Sequence, residues 1–309
     1  MNKDNSTSVT DFVLSGLGNK DDLQLLIFFI FLILYIITLV ANLTIMIISV
    51  TDASLHTPMY FFLYNVAFLD ICYSSVVVPK MLTDLMSQNK MISFYGCILQ
   101  IHCFHFFGST EAILFTVMSY DRFVAIAQPL RYTTIMSFDV CCGLAACSWV
   151  VGFFHALIHS IMTAKLPYCG PNVVQHFYCD VKPVVNLACT DVSFNLKLLV
   201  RVTGTLTSVT LMLIILSYIF ISKYLLKIKT SQGRRRALST CSGHFTVVTL
   251  QYGTALFIYM RPSTKDSLDQ DRAAAIMFSA ITPAFNPIIY TLRNKDMSKA
   301  LKKLLKISH

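Results

Sequence analysis

Met118-Ser119-Tyr120-Asp121-Arg122-Phe123-Val124-Ala125-Ile126 decides how the whole chain is read. An acid and an arginine stand side by side near the end of a long apolar stretch. Charges at membrane depth are costly and are kept for a purpose. Here they fall where the third of seven apolar segments would meet the cytosol. An arginine at that place can pair with its neighbour in one state and face a cytosolic partner in another. That is the chemistry of a switch that carries a signal across a bilayer.

The surrounding composition agrees. Of 309 residues, 55% are hydrophobic and only 13% charged. A water-soluble fold of that balance would expose too much apolar surface, and most segments lack the polar helix face that a soluble all-helical core requires. The 23 Phe and 14 Tyr suit a membrane interior with aromatic rims. Residues 1–22 are polar, with Asp4, Asp11, Asp21 and Asp22 and no apolar run before Leu23. They read as an extracellular tail without a cleavable signal peptide, so the first span itself starts insertion. Asn5-Ser6-Thr7 on this tail is a glycosylation sequon.

A span needs about 20 mostly apolar residues. Seven are expected, at 23–50, 58–86, 97–126, 140–162, 196–226, 236–260 and 273–292. The fold class is therefore an all-α membrane protein, a seven-transmembrane helix bundle. It reads as one domain over residues 1–309: tail 1–22, bundle 23–292 and cytoplasmic tail 293–309. The sixth span is the least obvious, because its apolar part begins near Phe245. No repeat relates the two halves, which weighs against many transporter designs. With the amino terminus outside, most Lys and Arg fall on the cytoplasmic side, while the acids there are Asp52, Asp121, Asp139 and Asp296. This is the orientation that the positive-inside rule requires. The net charge of +9 is spread beside spans, which fits a membrane surface and acidic partners and argues against nucleic acid. After Asn294, the apolar Met297, Ala300, Leu301, Leu304 and Leu305 alternate with lysines, as in a short amphipathic helix lying in the interface.

Several stretches resemble one family, the odorant (olfactory) receptors among the rhodopsin-like G-protein-coupled receptors. Leu55-His56-Thr57-Pro58-Met59-Tyr60-Phe61-Phe62-Leu63 looks like the family's LHTPMYFFL. The opening stretch resembles MAYDRYVAI, continued by Pro129-Leu130-Arg131-Tyr132. Ala237 to His244 resembles KAFSTCxSH, and Pro283 to Lys295 resembles PxLNPxIYxLRNK. Their joint occurrence in order is specific. The departures, Ala127, Gln128 and Gly243, remove no charge from the switch.

Four cysteines fall outside: Cys97, Cys169, Cys179 and Cys189. By themselves they allow three pairings. The resemblance implies Cys97–Cys179 and Cys169–Cys189. His176-Phe177-Tyr178-Cys179-Asp180 looks like a metal motif, but a disulfide would use its thiolate. Asp70 and Glu111 are the only acids deep in the spans and need a shared cation, proton or water. Asn42 and Asn286 are their expected polar neighbours. In the related receptors this cluster holds sodium, and the resemblance carries that to Asp70 and Glu111; a hydrogen-bonded polar core with one acid protonated is the alternative. His102 and His105 share a helix face. With Cys103 they could bind copper or zinc, but no third ligand is identifiable, and lining a pocket is the simpler role.

The resemblance also implies a coupling switch of Asp121, Arg122, Tyr218, His244, Asn286, Pro287 and Tyr290. Pro287 frees a backbone carbonyl and makes a hinge, so that Tyr290 can swing towards Arg122 or Tyr218. The expected ligand site lies between the outer halves of spans three, five, six and seven, mostly apolar with a few polar groups. Its expected lining is Phe104, His105, Gly108 and Ser109; Val202, Thr203 and Leu206; Tyr252, Ala255, Leu256 and Tyr259; and Ser279. No ionised acid lies in this lining, which disfavours an amine held by a carboxylate and favours a small, volatile, largely apolar ligand.

The implied function is an odorant receptor in the plasma membrane of sensory cilia that activates a stimulatory, olfactory-type heterotrimeric G protein and raises cyclic AMP. The same fold serving as a chemosensor outside the nose is one alternative, and an ion transporter or channel another. No nucleophile with base and orienting partner is evident, so an enzyme is not expected.

Overall fold

The computed structural model describes residues 9–17, 21–227, 230–259 and 267–307. In chain order the elements are β1 (Asp11–Leu14), α1 (Asp21–Thr51), α2 (Pro58–Met86), β2 (Met91–Ser93), α3 (Phe94–Ala127), α4 (Tyr132–Ile135), α5 (Phe138–Ala164), β3 (Val173–Val174), α6 (Val181–Val185), α7 (Ser193–Lys227), α8 (Ser231–Tyr259), α9 (Ser267–Ile276), α10 (Thr282–Arg293) and α11 (Lys295–Ile307). Six stretches are long and apolar enough to cross a membrane: Leu23–Thr51, Pro58–Met86, Phe94–Ala127, Phe138–Ala164, Ser193–Lys227 and Gln270–Leu292. They coincide with six of the seven expected spans. The remaining one, 236–260, falls within the helix α8 up to Tyr259, and its Met260 lies outside the described residues. Polar residues at the start of α8 lower its hydropathy below that of the others.

Outward faces explain why the bundle needs lipid. Val40 and Leu43 on α1, Val150 and Phe154 on α5, and Leu213 and Ile215 on α7 are all at least 40% exposed. In water such continuous apolar surface would aggregate. Inside hydrocarbon, helices gain nothing by hiding apolar groups from one another, so small residues that allow close approach matter instead. Ser148, Gly152 and Ala156 form such a stripe, buried on α5 one turn apart. A Cβ built on Gly152 would stand 2.1 Å from Thr110 Oγ1 on α3.

One end of the bundle is closed by β1, which the sequence reading placed in a polar tail. It is the middle strand of a three-stranded sheet, antiparallel to β2 and parallel to β3. Phe12 and Leu14 are buried, and the Phe12 ring meets Tyr168 edge-on at 5.4 Å. Gly16, at φ +72°, turns the chain away, a conformation open to glycine without strain. The disulfide Cys97–Cys179 (Cα–Cα 5.3 Å) fastens the loop to α3, and Cys169–Cys189 closes the loop on itself. Gln100 reinforces the first: its Oε1 accepts from the Cys179 N–H at 2.8 Å and its Nε2 donates to the Val76 carbonyl at 2.8 Å.

At the opposite end Asn294 ends α10 and caps α11. Its Oδ1 accepts from the N–H groups of Asp296 (3.0 Å) and Met297 (3.3 Å), and from Tyr60 O–H (3.0 Å). Met297 and Ala300 face the bundle, whereas Lys299, Lys302 and Lys303 are exposed, as the period predicts.

Candidate functional site

Asp121 and Arg122 end up buried at the α11 end of the bundle, on the last turns of α3. The guanidinium donates to Asp121 Oδ2 through Nε (3.0 Å) and a second nitrogen. Tyr132 O–H on α4 donates to the other carboxylate oxygen at 2.7 Å. Both oxygens of the carboxylate are thus bonded within one local unit, and the arginine is buried beside them.

Beside this pair, His244 on α8 joins three helices. Its Nε2 lies 3.1 Å from the Phe115 carbonyl of α3, and its Nδ1 lies 2.8 Å from Tyr218 O–H of α7. A carbonyl only accepts, so Nε2 carries the proton and Tyr218 donates to Nδ1. Tyr290, by contrast, is buried with its hydroxyl unpaired among the described residues. Of the expected switch residues, Asp121, Arg122, Tyr218 and His244 share one end, and Tyr290 makes no hydrogen bond to Tyr218 or Arg122.

Deeper in the bundle, Asn286 Nδ2 donates to both Asp70 oxygens (3.0 and 3.2 Å) and lies 3.4 Å from Glu111 Oε1. Gln251 Nε2 donates to Glu111 Oε2 at 3.0 Å. Asn286 is the expected neighbour of the two acids; Asn42 is not. Pro287 has no N–H for the carbonyl four residues back, at Pro283. Asn42 Nδ2 donates to that carbonyl at 3.0 Å, and so serves the proline break rather than the acids.

The expected ligand lining is only partly brought together. His105, Ser109 and Thr203 gather around two residues that the sequence reading missed, His155 and His159 on α5. Ser109 Oγ lies 2.7 Å from His155 Nδ1, and Thr203 Oγ1 lies 3.1 Å from His159 Nε2. The His105 and His159 rings are 4.9 Å apart. Spacing of four on one apolar helix was the signal that could have found this pair. His102 also turns to α5, where its Nδ1 meets Ser160 Oγ at 3.2 Å.

Phe104 packs between Tyr73 and Tyr178 at 4.7 and 4.8 Å, and Gly108 lies against Tyr73. Val202 and Leu206 are half-buried on α7. Two further expected lining residues spend their hydroxyls on backbone. Tyr252 O–H donates to the Ala112 carbonyl at 3.3 Å, level with Glu111 rather than the histidines, and Ser279 Oγ is spent on the Ala275 carbonyl of its own helix. The side chains of Ala255, Leu256 and Tyr259, and all of Asn5, lie outside the described residues. An acid does approach: Asp180 Oδ1 is 3.9 Å from His105 Nε2, though it already accepts from the Val181 N–H at 2.7 Å. Among the described residues no three His, Cys, Asp or Glu side chains form a group able to hold a metal ion.

A lipid-facing helical bundle with a buried, self-paired arginine at one end and a disulfide-tied cap at the other defines a multi-pass membrane receptor. The family model described as olfactory receptor matches residues 31–307. The chain is 50% identical to olfactory receptor 12D1 of Homo sapiens over 98% of its own length and 95% of that relative. It is 48% identical to olfactory receptor 12D2 of Homo sapiens over 98% and 99%. To olfactory receptor 5G9 of Mus musculus it is 44% identical over 97% and 96%. The chain belongs to the olfactory receptor family, whose members are receptors and not enzymes.

Proposed function

We propose that the chain, as a single receptor domain over residues 1–309, binds small, largely apolar odorants within the bundle and activates a stimulatory heterotrimeric G protein to raise cyclic AMP. The amino terminus and the strand cap face outward, with Asn5 available for glycosylation. The Asp121–Arg122 end and α11 face the cytoplasm, completing a seven-span topology with α8 as the sixth span. The site of action is the plasma membrane of sensory cilia. An odorant shifts the receptor only by its differential affinity for two states. In the resting state Asp121, itself bonded by Tyr132, holds Arg122, and Tyr218–His244–Phe115 ties α7, α8 and α3. Activation releases both and bares Arg122 to the partner.

Asp70 and Glu111 fit sodium in the resting state. Carboxylate oxygens suit a hard cation. Asn286 Oδ1, and Ser74 Oγ one turn along α2 from Asp70, are buried oxygens with no hydrogen-bond partner among the described residues. These four residues would hold the ion, which would supply charge balance between the two acids.

The observation that carries the coupling reading is the buried Arg122, bonded to its own neighbour. Arg122→Ala should abolish odorant-evoked cyclic AMP at normal surface expression. Full signalling by that variant would refute the mechanism.

A further inference from the structure

The three imidazoles between α3 and α5 leave two nitrogens without a hydrogen bond, one of them, His105 Nε2, with Asp180 Oδ1 at 3.9 Å. His155 is 8% exposed and its Nε2 has no hydrogen-bond partner among the described residues; the same holds for the buried Nε2 of His105. The rings of His105 and His155 are 6.3 Å apart, and His159 stands 4.9 Å from each. Such orphaned groups are rare in folded proteins because each carries the full cost of desolvation. Two such nitrogens, on neighbouring helices and on rings 6.3 Å apart, call for a shared partner.

We infer that His105 and His155 together hold the hydroxyl group of an alcohol or phenol odorant. This rests on the odorant-receptor reading and names the ligand class. A neutral imidazole offers one donor and one acceptor. The partner of His155 Nδ1 is Ser109, a hydroxyl that can give or take the bond. Rotation of that hydroxyl lets His155 Nε2 serve as either donor or acceptor. One nitrogen then donates to the ligand oxygen while the other accepts its proton.

Other groups match less well. A carbonyl or ether oxygen only accepts, so it serves both nitrogens only when both carry N–H, whereas a hydroxyl also serves when one nitrogen donates and the other accepts. A carboxylate needs two donors and brings negative charge towards Asp180, which is 3.9 Å from His105. An ammonium needs a counter-charge, and the oxygen of Asp180 nearest His105 is already bonded to the Val181 N–H. His159 and Thr203 complete the surround by holding each other.

The test uses full-length receptor and a panel of aliphatic alcohols and phenols, each with its methyl ether and its parent hydrocarbon. Binding is read by thermal shift of purified protein and signalling by a cyclic AMP reporter. The wild type should prefer the best alcohol over its ether by about 10- to 100-fold, the effect of leaving one buried polar group unpaired. His155→Phe should erase that preference while leaving the ether within a few-fold. His155→Gln, which keeps a donor and an acceptor, should restore part of it. A merely structural role would lower alcohol and ether alike, and that result overturns the inference. So do equal affinities for alcohol and ether in the wild type, a preference for amines or acids, or no binding by any panel member. Alcohol binding with the stated discrimination but without cyclic AMP supports the inference and refutes the coupling reading instead.

Discussion

Gly152→Ala should loosen the contact that holds α3 against α5. The added Cβ would stand 2.1 Å from Thr110 Oγ1, 3.0 Å from Thr110 N and 3.1 Å from the Phe106 carbonyl. Only the first neighbour can move without shifting backbone. Thr110 Oγ1 donates to that same Phe106 carbonyl at 2.8 Å, so rotating it away gives up a bond worth about 1 kcal/mol. The two backbone contacts remain tight, and relieving them by separating the helices costs about 1–3 kcal/mol more. The sum, about 2–4 kcal/mol, corresponds to a fall of roughly 4–12 °C in unfolding midpoint for a chain of this size. Thermal unfolding of purified receptor in detergent measures it. Thr110→Ala in the Gly152→Ala background removes the closest clash and should recover part of the loss, giving a coupling of about 1 kcal/mol. An unchanged midpoint for Gly152→Ala, or strict additivity of the two substitutions, would refute the packing argument. Because His155 is less than a turn further along α5, the single variant should also weaken the Ser109–His155 contact.

Two further outcomes follow from the ends of the bundle. Asn294→Ala removes the acceptor for two backbone N–H groups and for Tyr60 O–H. It should destabilise α11 by about 1–2 kcal/mol, seen as faster amide exchange over residues 297–304 with the bundle unaffected. In the strand cap, burial holds His176 down to about 4, with Arg272 adding to the effect and Asp180 opposing it. The folded cap thus prefers the neutral ring, while the unfolded chain protonates near the ordinary histidine value of 6.5. Stability is fully present above pH 6.5 and is lost as pH falls from 6.5 to about 4. Hydrogen exchange of β1 should quicken across that window, and a flat profile would count against it.

The long helices were legible because apolar runs of spanning length have one reading in lipid. Only α8 blurred, where arginines precede the apolar part. β1 was illegible for a different reason. A short strand has no pattern of its own length to announce it, and both its partners come from distant loops. Asn286 and the acids were readable as a polar group that a membrane interior must satisfy internally. Asn42 was not, because its amide donates to the Thr38 carbonyl of its own helix and to the Pro283 carbonyl that Pro287 frees far along the chain. His155 and His159 could be placed on one face, but not the face of α3 that they meet. For Tyr252 the partner of the hydroxyl, the backbone beside Glu111, was not legible, because it belongs to another helix.

The amino-terminal strand lies in the middle of its sheet, between partners made much later in synthesis. Its sheet is therefore complete only once the third strand, from the loop that the cystines fasten, has been delivered. Insertions between Asp11 and Leu14 would jam it, and would be read as failed export although every span was sound.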